Sequence, residues 1–267
     1  MDLNFDTNLI ASYHSHTQIA RILTESWVLN NMFCPRCGNL HIKKFPNNRP
    51  VADFFCPNCL SEYELKSKNG PLGSKITDGA YSTMIERITS NTNPDFLFLC
   101  YSKKEMNVKD FIFVPKYFFV PEIIEKRKPL SQNARRAGWV GCNILLNKIP
   151  SQGRIPIINK SSINQIENVV KMVSTANLLD IKNIKSRSWL MDILTCINQI
   201  PKDIFSLDEI YFFEKFLSQK HPQNRFIKAK IRQQLQILRD NGFLLFLGKG
   251  KYKKLRSVIN EKIQCNN

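Results

Sequence analysis

The chain has 267 residues, 43% of them apolar and 10% aromatic, with ten glycines and eight cysteines. That length suits about two domains, and the composition excludes a disordered tail, a collagen-like fibre and a small disulfide scaffold. Against 22 Asp and Glu stand 39 Lys and Arg, a net +17 whose field favours polyanions, nucleic acid being the commonest.

The N-terminal stretch MDLNFDTNLIASYHSH lacks a basic and then apolar leader, and the apolar run 243–247 is far short of the ~18 residues that span a bilayer. A cytoplasmic, membrane-free protein is expected. Residues 17–30 put Ile19, Ile22, Leu23 and Trp27 near one helical face, with Thr17 as the expected N-cap. Glu25 could reach a metal site from there, but a solvated helix glutamate is the commoner case.

Next come Cys34-Pro35-Arg36-Cys37 and Cys56-Pro57-Asn58-Cys59, with 18 residues between the pairs. Two residues between cysteines let both sulfurs of a turn face one ion, and two such turns complete a tetrahedron at the spacing of a four-thiolate zinc site. Four thiolates leave no open position, so the zinc is expected to be structural, and His14 and His16 are not needed as ligands. Cys100, Cys142 and Cys196 lie in apolar surroundings and read as core; Cys265 is solitary.

The stretch PVADFFCPNCLSEYELKSK, residues 50–68, carries the chemistry. Val51-Ala52-Asp53-Phe54-Phe55 and Glu62-Tyr63-Glu64-Leu65-Lys66 both alternate as strands. In the second, Tyr63 and Leu65 share one face, and Glu62, Glu64 and Lys66 the other. If the Cys56–Cys59 turn closes a hairpin, Asp53 lies opposite Glu64. Two close carboxylates suit a hard cation such as Mg²⁺. Lys66, on the same face, can stabilise charge building on a phosphate or help deprotonate the attacking water. An isolated E-x-K would be surface ion-pair material; the preceding Asp53 and the zinc turn between the strands favour a site.

Residues 75–89 place Ile76, Ala80, Met84 and Ile88 at helical spacing, and apolar strands follow at 95–101, 110–114, 140–146 and 154–158. Arg135 and Arg136 beside Gly138-Trp139 offer phosphate clamps and an aromatic. The Asn/Ser/Lys-rich stretch 159–185 reads as a linker with at most one short helix, and a domain boundary near 184 separates 1–183 from 184–267.

The C-terminal part reads as three helices and a hairpin. Trp189 to Ile197 forms the first, Ser206-Leu207-Asp208-Glu209 opens the second as a capping box, and the third runs from 226 to 240, ending at Asn241-Gly242. On that third helix Ile227, Ile231, Leu235 and Leu238 share one face, with Lys228, Arg232 and Arg239 in the adjoining stripe. Gln233, Gln234 and Gln236 interleave with them, side chains suited to base edges. FLLFLGKGKYKKL then forms two strands around Lys249 and Lys251, a basic wing. From 219 to 256 eleven Lys and Arg face one acid, Asp240. Helices plus wing make a winged-helix domain whose third helix enters the major groove.

Pro50-Val51-Ala52-Asp53 with Glu64-Leu65-Lys66 resembles the PD-(D/E)XK nuclease motif, with Val51-Ala52 inserted after the proline. With the two Cys pairs nested around it, the sequence is similar to the DpnI-like methyl-directed type II restriction endonucleases. The likeness runs through ARILTESWV, NNRPVADFFC, ELKSK, DGAYSTM, ARRAGWVGCNI and IRQQLQILRD, and is weakest in 159–183. It implies an α/β fold: a PD-(D/E)XK restriction-endonuclease-like core with an embedded four-cysteine zinc site, plus a C-terminal winged-helix domain. It implies that Asp53 and Glu64 carry catalytic Mg²⁺ with the Leu65 carbonyl, and that Lys66 serves the attacking water. Cys34, Cys37, Cys56 and Cys59 would hold zinc. It implies double-stranded DNA with N6-methyladenine in G-A-T-C as substrate, read by both domains with Trp139 at the methyl group. The expected enzyme is a monomer without a small-molecule substrate. Two other functions fit parts of the sequence: a non-catalytic zinc-containing winged-helix regulator, which leaves Asp53, Glu64 and Lys66 to chance, and a junction or single-strand nuclease.

Overall fold

The structure, a computed structural model, describes residues 1–46, 52–90 and 92–255. Pro50, Val51, Arg256 and the tail 257–267, which figure in the sequence reading, lie outside the described residues. The N-terminal part runs α1 (His16–Asn31), β1 (Lys43–Lys44), β2 (Phe54–Phe55), β3 (Glu62–Asn69), β4 (Lys75–Ala80), α2 (Tyr81–Thr89), β5 (Asp95–Ser102), β6 (Asn107–Val114), β7 (Ile124–Lys126), β8 (Gly141–Leu145), β9 (Ile155–Asn159), β10 (Ser162–Ile163) and α3 (Ile166–Asn177).

Seven strands make the main sheet in the order β1-β2-β3-β5-β6-β9-β10, with β3 parallel to β5 and the other neighbours antiparallel. The central strand β5 is an unbroken run, Phe-Leu-Phe-Leu-Cys, buried on both faces, as a strand covered on two sides must be. Leu23, Trp27 and Val28 of α1 bury one helical stripe. That helix starts at His16 after Ser15, so Thr17 lies inside it and is not the cap.

A second sheet has the order β4-β8-β7. Residues 75–80 are strand, not the first half of a helix; only Tyr81–Thr89 is helical. Ile76 and Thr77 are β-branched, Gly79 disfavours helix, and Ile76 pairs with Ile144 of β8. The helical spacing of Ile76 and Ala80 was a coincidence that tertiary pairing overrides. The stretch 159–185 is likewise no linker: α3 buries Val169, Met172, Val173 and Ala176, the i, i+3, i+4, i+7 stripe of a core helix.

The C-terminal part runs α4 (Ile184–Gln199), β11 (Ile204–Ser206), α5 (Leu207–Tyr211), α6 (Glu214–Lys220), α7 (Ile227–Asp240), β12 (Leu244–Gly248) and β13 (Lys251–Lys254). Ser206 and Glu209 form the expected capping box, but the second helix breaks between α5 and α6. Strand β11 adds to the hairpin in the order β11-β13-β12. Polar bonds tie α4 to the core at two places. The Ser188 hydroxyl donates to Glu122 at 3.0 Å, and the Asn198 amide to Ser151 Oγ at 3.2 Å and Gln152 Oε1 at 3.1 Å. Trp27 and Trp189 are core, 3% and 6% exposed. Among the described residues no helix is long and apolar enough to cross a membrane.

Candidate active site and nucleic-acid interface

The Cys56–Cys59 turn joins β2 to β3 as an antiparallel pair, Phe54 opposite Tyr63 and Phe55 opposite Glu62. Continuing that register puts Asp53 across from Glu64. Of the first segment only Phe54–Phe55 is strand. The Asp53 amide donates to the Tyr63 carbonyl at 2.9 Å, and its Oδ2 accepts the Leu65 amide hydrogen at 2.8 Å. Glu64 and Lys66, alternate residues of β3, meet on one face, Nζ to Oε1 at 2.6 Å. The structure thus brings Asp53, Glu64, the Leu65 backbone and Lys66 together.

Three further side chains crowd this point, and the sequence reading did not find two of them. Arg87 of α2 donates to Glu64 Oε2, and Lys66 also contacts Asp78 of β4. Both come from the next two elements along the chain, outside the stretch 50–68. The signal for Asp78 lay in its strand: it shares the inward face with Ile76, where an acid is costly unless paired. Glu25, read as solvated, is instead held by Arg21 and Lys44 at 2.7 Å each. Burial pushes the Asp53 carboxyl up; the Leu65 hydrogen bond opposes this, and the Glu25 charge adds to it. Burial alone would pull the Lys66 ammonium down, but Glu64 and Asp78 hold it above the ordinary lysine range. Two carboxylates and a backbone carbonyl, hard oxygen donors one of which is desolvated, fit a divalent cation.

Cys34, Cys37, Cys56 and Cys59 form one cluster with ligand atoms within 4.8 Å of one another. Cys34 and Cys59 sulfurs lie 3.5 Å apart, and Cys37 and Cys56 sulfurs 3.6 Å. A tetrahedron with ~2.3 Å Zn–S bonds has edges of about 3.8 Å, so the cluster can hold a structural metal. Burial raises the Cys34 thiol. At Cys37 burial also pushes upward, but hydrogen bonds led by the Asn58 amide bring the thiol down to about 6.

Arg135 and Arg136 are exposed, and the Arg136 guanidinium lies 5.7 Å from the half-buried Trp139 ring. With Gly79 and Leu130 they line a cavity of about 690 Å³. On α7, Ile227, Ile231, Leu235 and Leu238 are buried as expected, while Lys228, Arg232, Gln233, Gln236 and Arg239 are exposed. Gln234 departs from the expectation: it is 1% exposed and faces the core, so it does not join the polar stripe. Tyr211, which the sequence reading passed over, receives a 2.9 Å hydrogen bond from Arg232 and lies 5.3 Å from the Lys228 ammonium. Lys249 and Lys251 are exposed at the hairpin turn.

A mixed α/β core with an embedded four-cysteine cluster is followed by a C-terminal part of helices and a β-hairpin. The family model DpnI, described as the Dam-replacing family, matches residues 1–182, and the Dam-replacing HTH domain matches residues 185–254. The chain belongs to the Dam-replacing family, and is a DNA-binding restriction endonuclease.

Proposed function

We propose that the protein hydrolyses phosphodiester bonds of double-stranded DNA at G-A-T-C sites carrying N6-methyladenine, in a Mg²⁺-dependent reaction. The observation that carries this reading is the meeting of Asp53, just before β2, with Glu64 and Lys66 of β3 across the hairpin that the Cys56–Cys59 turn closes. Asp53, Glu64 and the Leu65 carbonyl would hold Mg²⁺, which lends positive charge to the scissile phosphate. Lys66 orients the attacking water and offsets the negative charge that develops beside it. Zinc on Cys34, Cys37, Cys56 and Cys59 fixes the turn that sets the spacing of Asp53 and Glu64.

Recognition is divided between residues 1–183 and 184–267. In the first, Arg135 and Arg136 take phosphates and Trp139, against Leu130, offers the apolar wall that a methyl group needs. In the second, Gln233 and Gln236 read base edges, and Lys228, Arg232, Arg239, Lys249 and Lys251 bind the backbone. The enzyme acts as a monomer in the cytoplasm, where reduced thiols remain available to zinc.

The test is one plasmid in two forms, with and without adenine methylation at G-A-T-C, incubated with Mg²⁺ or EDTA. Fragments from the methylated plasmid with Mg²⁺ alone are expected. Equal fragmentation of both forms would discard methyl direction. Gel shift of methylated duplex without any cutting would favour the non-catalytic regulator.

A further inference from the structure

Asp78 and Gly79 are neighbours in the chain, yet one touches the cleavage centre and the other the Trp139 cavity. The Asp78 side chain is 8% exposed and contacts the Lys66 ammonium, whose other partner is Glu64. Gly79 lines the cavity with Trp139, Leu130, Arg135 and Arg136. Between them the β4–β8 ladder is irregular: Asp78 pairs with Cys142 and Ala80 with Gly141, leaving Gly79 bulged out of register. The flanking pairs from Lys75 to Thr77 are regular. The Trp139 ring rests on the opposite strand at the same level, where a Cβ on Gly141 would lie 2.8 Å from the indole. The Tyr81 amide closes the far side on the Val140 carbonyl at 3.0 Å.

A β-bulge interrupts the ladder and re-aims the side chains beside it. Whatever enters the cavity bears on the indole and on the Gly79 backbone, and the next residue sets where Lys66 sits. Catalysis is sensitive to such placement, because a displacement of about 1 Å in a reacting group costs roughly 100-fold in rate. Binding energy from a recognised base can therefore be converted into rate, the induced-fit route to specificity.

Resting on the nuclease reading above, we propose that the Asp78–Ala80 bulge is a specificity relay. Asp78 is a positioning residue for Lys66, and Gly79 is the wall through which occupancy of the Trp139 cavity sets Asp78. Discrimination between substrates then lies in kcat as well as in binding.

The test is a double-mutant cycle with Trp139→Ala and Asp78→Asn, measuring kcat at saturating methylated G-A-T-C duplex and site binding in EDTA. Asp78→Asn is expected to lower kcat about 30-fold with binding within about twofold of the parent. If the two residues act through one relay, the double variant cuts no more than about threefold slower than the slower single variant. A multiplicative loss, or an Asp78→Asn defect confined to binding, overturns the relay. Gly79→Ala guards against misfolding, because its Cβ meets nothing within 4 Å and so faces open space. It is expected to lower kcat on methylated duplex about tenfold with Lys66 and Asp78 in place; an unchanged kcat overturns the proposal. Wild-type protein that cuts no duplex refutes the nuclease reading, and the relay falls with it. Wild type that cuts, with independent variants, refutes the relay alone.

Discussion

Asp53 is fastened to Leu65: its Oδ2 accepts the Leu65 amide hydrogen at 2.8 Å across the hairpin. The bond aims a desolvated carboxylate at the proposed cation position, and it opposes only part of the burial that raises this carboxyl. A folded-state value raised above the unfolded one gives stability that is present below the unfolded value and lost as pH rises through the folded one. At neutral pH the metal-free protein therefore carries a penalty at Asp53. Asp53→Asn should abolish cleavage yet raise the metal-free melting temperature at pH 7, by about 2–4 °C for each ~1 kcal/mol relieved. Scanning calorimetry with and without Mg²⁺ checks this, and a lower melting temperature would contradict it.

Lys66→Ala should reduce cleavage by about 10³-fold or more while site-specific binding stays within a few-fold. The Lys66 side chain is 18% exposed, and its removal leaves Glu64 and Asp78 facing each other with one cation fewer. Stripping one partner from a buried pair is strongly destabilising, so the variant should also melt earlier than the parent. Gel-shift titration beside single-turnover cleavage separates the two effects. Loss of binding in folded protein would remove the assigned role.

Metal analysis should find one zinc per chain, lost together with Cys56→Ser. Thiolates must shed their protons to bind metal, so acid competes with zinc. Cys37 is lowered to about 6 from its ordinary 9.0. Its contribution is thus present above the unfolded value and disappears as pH falls through the folded one. Zinc retention should weaken as pH is lowered, because each thiolate regains a proton in competition with the metal, and Asp53 and Glu64 then lose their fixed spacing. Zinc release followed with a chromogenic chelator, alongside residual cleavage, measures the coupling; full activity without zinc would refute it.

Gln236→Ala or Gln233→Ala should weaken site binding by about 1–3 kcal/mol and relax selectivity at one base pair. Lys249→Ala should weaken all sequences alike and reduce the slope of binding against salt by about one unit. Tyr211→Phe removes the bond to Arg232 and should fall between these patterns. Binding titrations at several salt concentrations distinguish them.

Features with a local period were legible in the sequence. The Cys pairs, the alternation of Glu64 and Lys66, and the buried face of α7 each follow from spacing within one segment, and the structure shows all three, while of the Asp53 segment only Phe54–Phe55 is strand. Arg87 was not legible, because nothing within α2 says which of its polar residues faces β3. Reading 75–89 as one helix also hid the strand whose inward face carries Asp78. The α3 stripe was obscured by the Asn, Ser and Lys around it. Gln234 shows the limit of a helical count: Gln233 and Gln236 are exposed, yet Gln234, beside the buried Leu235, turns into the core.

Helix α4 is a rod of 16 residues, about 24 Å long. Its bonds to Glu122, Ser151 and Gln152 make it the arm that fixes the distance between reading and cutting. A chimaera that imports another C-terminal domain without Ser188 and Asn198 would keep both activities and lose their common address. It would bind at one sequence and cut at another, wherever its untethered nuclease met a methylated base for the Trp139 cavity.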